Sequence, residues 1–128
     1  MTQIVLRLTD GNAPIRGMKV AGRNLFSVYD FLWDTGAYVS RSVVKGAWLQ
    51  FTQSKHKDEV VRFTNHIKFP GTGQKHTPCA NVLGLQRILI FIGGKIGHAY
   101  RDLATTTLTR IAAGDSSLIE EIEGKLRF

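Results

Sequence analysis

The sequence predicts an α+β fold: a small antiparallel sheet or hairpins packed on a cluster of about four to five helices, in a single domain. Apolar and polar residues alternate up to Phe26, whereas from Ser40 onward apolar residues recur mostly at helical spacing. Across the 128 residues there is no internal repeat, low-complexity tract or linker. A chain of this size, 43% hydrophobic and 21% charged, buries about two-thirds of its unfolded surface and needs no disulfide or metal staple.

Taken in order, Ile4, Leu6 and Leu8 alternate with Val5, Arg7 and Thr9 ahead of the turn formers Asp10-Gly11-Asn12, which predicts a first strand. Met18 to Ala21 and, past Gly22, Leu25-Phe26 predict a further extended pair. Ser27 is placed to cap a helix through Tyr29, Phe31, Leu32 and Trp33, ended by Gly36. From Ser40 to Ser54, Val43, Val44, Ala47, Trp48 and Phe51 form one apolar stripe, with Arg41 and Lys45 one turn apart on the adjoining face. The polar stretch Lys55 to Glu59 reads as a link, and Val60 to Thr64 and His66 to Phe69 as an extended pair about Asn65.

Pro70 to His76 is a loop of turn formers and cations. Thr77-Pro78 reads as a helix start, the hydroxyl capping and the proline in the first turn. The helix Ala80 to Ile92 is apolar nearly all round, is expected to be the central buried element, and ends at Gly93-Gly94. Ile96 to Ala113 carries Ile96, Ala99, Tyr100, Leu103, Ala104, Leu108 and Ile111 at core spacing and stops at Gly114. Ser117-x-x-Glu120 has the form of a capping box and predicts an acidic C-terminal helix over 115–127 with Leu118, Ile119 and Ile122.

The net charge of +7 is unevenly distributed. Up to Gly114 there are 15 basic and 6 acidic residues, whereas Asp115 to Phe128 holds 2 basic and 4 acidic. Such a basic body attracts phosphate backbones, acidic proteins or anionic lipid, or is simply a solubilising surface. The N-terminus lacks a basic region followed by a long apolar stretch, and the longest apolar run, Ile88 to Ile92, is far below the roughly 20 residues that span a bilayer. An intracellular protein without a membrane partner is expected, and the single Cys79 suits a reducing compartment.

Catalytic and cofactor patterns are missing. Gly71-x-Gly73 lacks the third glycine of a dinucleotide fingerprint, and the loop reads either as a phosphate cradle or as a plain connector. The histidines at 56, 66, 76 and 98 do not have the spacing of a structural zinc site. Cys79 reads as structural, and Asp58-Glu59 and Glu120-Glu121-Glu123 as solvated charges, not as paired catalytic carboxylates. No enzyme, cofactor or metal is therefore expected.

What remains is a basic surface with polar side chains interleaved: Arg41, Lys45, Lys55, Lys57, Arg62, Asn65, Lys68, Gln74, Lys75 and His76, with His56 and His66 among them. Lys and Arg would neutralise phosphates, while Asn65, Gln74 or an arginine could read base edges. The core already requires Phe31, Trp33, Trp48, Phe51 and Phe91, which leaves too few aromatics for a stacking platform and favours duplex over single-strand binding.

Lys68-Phe69-Pro70-Gly71-Thr72-Gly73-Gln74-Lys75-His76-Thr77-Pro78, the apolar run Leu85 to Ile92, Gly93-Gly94, Tyr100-Arg101 and the segment Leu108 to Ile122 resemble the C-terminal half of Bro-N and KilA-N-like domains of large DNA viruses, phages and some eukaryotic genomes. Gly22 to Leu32 is similar to the way those domains pass from sheet to helix. The resemblance implies a compact α+β DNA-binding domain, active in a nucleus or in an infected cell, and transfers no individual base-reading residue. The expected function is thus non-catalytic binding of double-stranded DNA. Reversing Lys55, Lys57 and Lys68 together is expected to weaken duplex binding more than tenfold. The alternatives are a protein-interaction or homo-oligomerisation module whose acidic tail helix docks on a neighbour's basic face, and a nuclease or other nucleic-acid enzyme, disfavoured by the scattered carboxylates.

Overall fold

The amino-terminal alternation closes into an antiparallel meander in the computed structural model, which describes residues 2–8, 14–54, 57–70, 75–92 and 96–122. Strand β1 (Thr2–Leu6) pairs with β2 (Ile15–Val20), and β2 with β3 (Arg23–Ser27). Val20 faces Arg23 across the two-residue turn Ala21-Gly22, where both residues have positive φ (52° and 78°). That geometry matches the twist of paired strands. β2 starts before the expected Met18 because Gly17 interrupts the apolar alternation, and no side chain fits there. A Cβ at Gly17 would lie 2.7 Å from the Leu25 carbonyl oxygen and 2.7 Å from the Phe26 ring.

β3 runs straight into α1 (Val28–Asp34), and the Ser27 hydroxyl accepts the Asp30 N–H at 3.1 Å. Gly36, with φ 75°, follows the helix as the sequence predicts, and α2 (Arg41–Thr52) falls within the expected helical stretch, capped by the Ser40 hydroxyl, which accepts the Val43 N–H at 3.2 Å. The expected extended stretch Val60 to Thr64 is instead helix α3 (Lys57–Phe63) followed by β4 (Thr64–Ile67). Asp58 and Glu59 in the first turn and Arg62 in the last complement the helix dipole, which outweighs the short apolar alternation. The same helix occupies part of the stretch read as a polar link.

Thr77-Pro78 belongs to strand β5 (Thr77–Ala80) rather than to a helix start. The cap is Asn81, whose Oδ1 accepts the Gly84 N–H at 2.9 Å, so α4 (Val82–Ile92) begins later than Ala80. This helix is not buried all round: Leu83 is 59% and Ile90 72% exposed, while Val82, Leu85, Ile88, Leu89 and Ile92 face the core. Gly93-Gly94 lies outside the described residues. α5 (His98–Ala112) ends before Gly114, which adopts φ 112°.

The acidic C-terminal helix is also corrected. Residues Ile119–Ile122 form strand β6, antiparallel to β1 with Ile4 opposite Glu121. The capping box does not form, because the Ser117 hydroxyl and N–H both donate to Asp115, at 2.6 and 3.0 Å. Two β-branched residues at the free edge of β1 gain a complete ladder, which a four-residue amphipathic stretch cannot match as a helix. Lys19 of β2 and Glu121 of β6 pair over the intervening β1 at 2.5 Å. Residues 123–127 of the expected helix lie outside the described residues.

Among the described residues the result is a single α+β domain with a six-stranded antiparallel sheet, order β4-β5-β3-β2-β1-β6, packed against five helices. One face, with Ile4, Leu6, Ile15, Phe26 and Ala80, meets Phe31 and Leu32 of α1, Leu85 and Ile88 of α4 and Leu108 of α5 in the main core. On the other, Met18, Leu25 and Cys79 gather under Phe69. Tyr100 donates to Asp34 Oδ2 at 2.8 Å and Arg101 to the Leu89 carbonyl at 3.3 Å, which ties α5 to α1 and α4. Arg101 is thereby a structural cation. Burial and the Asp34 carboxylate hold the Tyr100 phenol far above its ordinary pKa.

Candidate nucleic-acid interface

The site is organised by a buried carboxylate. Asp30 is the third residue of α1, its backbone held by the Ser27 cap and its side chain only 3% exposed. Its Oδ2 accepts the Arg16 backbone N–H at 3.0 Å and Arg16 Nε at 2.7 Å. Its Oδ1 accepts Arg16 Nη2 at 3.2 Å and Arg41 Nη1 at 3.1 Å. A lone buried carboxylate would be costly, and two guanidiniums from different elements neutralise it. Hydrogen bonding to Asp30 raises the pKa of Arg16 further.

Both arginine side chains remain about half exposed, at 45% and 53%, and two unit charges share one negative charge. Each lies over a ring: Arg16 over Phe69 at 5.0 Å and Arg41 over Trp33 at 5.4 Å. Lys45, one turn beyond Arg41 on α2, lies over Tyr29 at 5.8 Å. These contacts fix the direction of the cations while leaving their charge accessible.

Beside this ridge opens a cleft. Its first chamber, 430 Å³, is walled by Arg16 from β2, Tyr29 from α1, Lys45 from α2, and Lys75, His76 and Thr77 at the start of β5. Tyr29, Lys45 and His76 are shared with an adjoining chamber of 330 Å³, completed by Trp48, Leu49 and Thr52 of α2, His66 of β4 and Pro78 of β5. Trp48, Thr52 and His66 continue into a smaller recess of 160 Å³ with Val60 and Thr64. Burial pushes the Tyr29 phenol above its ordinary pKa, so it stays a neutral donor.

Of the residues expected from sequence, Lys45, Lys75 and His76 meet in this cleft, and Arg41 stands beside it on Asp30. Lys57 and Arg62 are exposed on α3, Asn65 is half-buried opposite Cys79, and Lys68 is exposed beyond β4. These four line neither chamber. Lys55 and Gln74 lie outside the described residues. Sequence reasoning missed Arg16, Asp30 and Tyr29 and counted His66 only as an interleaved residue. The Ser27-x-x-Asp30 spacing is the available signal for a carboxylate held at a helix start, whereas nothing marks Arg16 among strand residues.

Cys79 is buried in β5, its thiol near the Thr77 carbonyl at 3.5 Å and pushed up to about 12 by desolvation. It is a structural thiol. Among the described residues no three or more His, Cys, Asp or Glu are grouped to hold a metal ion, and no helix is long and apolar enough to cross a membrane. No family model, curated protein or solved structure matches this chain.

Proposed function

We propose that this chain is a non-catalytic module that binds double-stranded DNA through its phosphates, as the resemblance to Bro-N and KilA-N-like domains implies, acting inside a cell or on a viral genome. One observation carries the reading. Arg16, Lys45, Lys75 and His76, drawn from distant parts of the sequence, converge on a single open cleft, with Arg41 beside it. Side chains of one sign at a concave surface focus the field on an approaching polyanion. Each phosphate neutralised releases condensed counterions, so affinity falls steeply with salt, with a logarithmic slope of about −0.9 per contact.

Fluorescence anisotropy of the full chain with a random 20-base-pair duplex, a single strand and an anionic peptide, each at two salt concentrations, tests this. Duplex binding with a steep salt slope is expected. Reversing Lys45 and Lys75 to Glu should reduce affinity more than tenfold at low salt and shallow the slope by about two. The same reversal at Lys57 and Lys68, outside the cleft, should cost less. Flat curves for both nucleic acids at low salt would overturn the proposal.

A further inference from the structure

The cleft is graded along its length. At one end stand Arg16, Lys45 and Lys75. Past Tyr29 the fixed charge thins from three cations to Lys45, which borders both chambers: Trp48, Leu49 and Pro78 supply apolar wall, while Thr52, His66 and His76 supply hydrogen-bonding groups. The Thr52 hydroxyl donates to the Leu49 carbonyl at 2.7 Å, which leaves its oxygen as an acceptor. The two chambers, 430 and 330 Å³, fall within the roughly 300–1,000 Å³ of small-ligand sites.

A ligand that matches this order has a dianionic or monoanionic group at one end. At the other it has a flat, largely apolar body edged with hydrogen-bonding atoms, and Tyr29 sits between the two. A phosphate alone would leave the second chamber empty, and a base inside a duplex is stacked and paired and cannot enter a recess. Resting on the nucleic-acid reading, we infer that the cleft holds one unpaired nucleotide, its phosphate among Arg16, Lys45 and Lys75 and its base in the chamber bounded by Tyr29, Leu49 and His66. The nucleotide could belong to a strand end or an extruded position, or be free, and the chemistry recognised is the same.

The test uses the full chain and three competitors of a labelled duplex: inorganic phosphate, ribose 5-phosphate and adenosine 5′-monophosphate. It adds direct binding of a blunt duplex and of the same duplex with a three-nucleotide 5′ overhang. Adenosine monophosphate should compete at least tenfold better than ribose 5-phosphate, and the overhang should bind at least fivefold tighter than the blunt end, in line with the energy of holding one base on an aromatic surface. His66→Ala, an exposed position on an edge strand, should abolish the preference for the base and leave inorganic phosphate competition unchanged. Lys75→Ala should weaken all three competitors together.

Duplex binding with no advantage for the overhang and no difference among the competitors would overturn this inference and leave the duplex reading standing. Competition by adenosine monophosphate with no overhang advantage would assign the cleft to a free nucleotide. Nucleotide binding, seen by direct titration, in a chain that binds no duplex would uphold the cleft assignment and overturn the duplex reading. No binding by any probe would overturn both.

Discussion

Replacing Asp30 with Ala should be the most informative single change, because its carboxylate is where β2, α1 and α2 are joined. Four hydrogen bonds end on it, three from Arg16 and one from Arg41. A charge-assisted bond nets about 1.5–3 kcal/mol when well shielded. Both arginine side chains are about half exposed, so their guanidiniums regain water when the carboxylate is removed, which brings each side-chain contact down to about 0.5–1 kcal/mol. With the part-buried Arg16 N–H left without its acceptor, the total comes to about 2–4 kcal/mol, or roughly 10 °C in Tm for a domain of this size. That is below the cost of breaking a fully buried pair, since no buried cation is stranded.

The asymmetry of the contacts makes a sharper test than the total. In double-mutant cycles by chemical denaturation, Asp30 with Arg16 should show a coupling about twice or more that of Asp30 with Arg41, since two side-chain bonds stand against one. The cycle cancels the packing each arginine loses over Phe69 or Trp33. Equal couplings, or an Asp30→Ala variant within about 1 kcal/mol of the parent, would refute the role assigned to this carboxylate.

Gly84→Ala on α4 should destabilise by about 1–3 kcal/mol in the same denaturation assay, although helix propensity alone favours Ala by about 1 kcal/mol. The added Cβ would sit 2.8 Å from Ala80 Cβ and 2.8 Å from the Phe63 ring, and a stabilised variant would contradict that packing. Cys79, buried and pushed up to about 12, should resist a thiol reagent at pH 8 in the native state and react only after denaturant is added, whereas rapid native labelling would place it at the surface. The Asp115 carboxyl, lowered to about 2 by the Ser117 hydroxyl and N–H and by Arg110, should titrate near that value by NMR. Because its folded pKa is depressed, its contribution is present above about pH 4 and lost as pH falls through 2; Asp115→Asn should flatten that part of the acid limb, and an ordinary midpoint would show that the turn does not form.

The elements legible in the sequence are those whose determinants lie within a few residues. Ser27 caps α1 through that helix's N3 amide, and the Val44–Trp48 face of α2 is a local periodicity. Elements misread were those held by a distant partner. Ile119 to Ile122 are compatible with either secondary structure, and what selects strand is the vacant edge of β1 more than a hundred residues earlier in the chain. The capping signal at Ser117 is as good in form as that at Ser27, but Asp115 takes its donors. Likewise Thr77-Pro78 has the chemistry of a helix start, and the pairing of β5 with β3 and β4 overrides it.

The same override creates the cleft. β3 pairs with β5 only through Phe26–Ala80 and Ser27–Cys79, because after Ser27 the chain turns into α1 and no longer offers a strand edge. Pro78 and Thr77 are thus flanked by β4 on one side only, and a proline without an N–H is tolerated at a one-sided ladder. The place a continuing β3 would have filled is instead bordered by the first turn of α1, with Tyr29 and Asp30, and by Arg16 from the next strand. Charge composition could identify Lys45, Lys75 and His76 as candidates, yet their convergence depends on where one strand gives way to a helix. Lys68, equally basic in sequence, follows β4, which lies on the other side of β5 from β3 and that gap, while Lys57 and Arg62 are exposed on α3, which reaches only the small recess, through Val60.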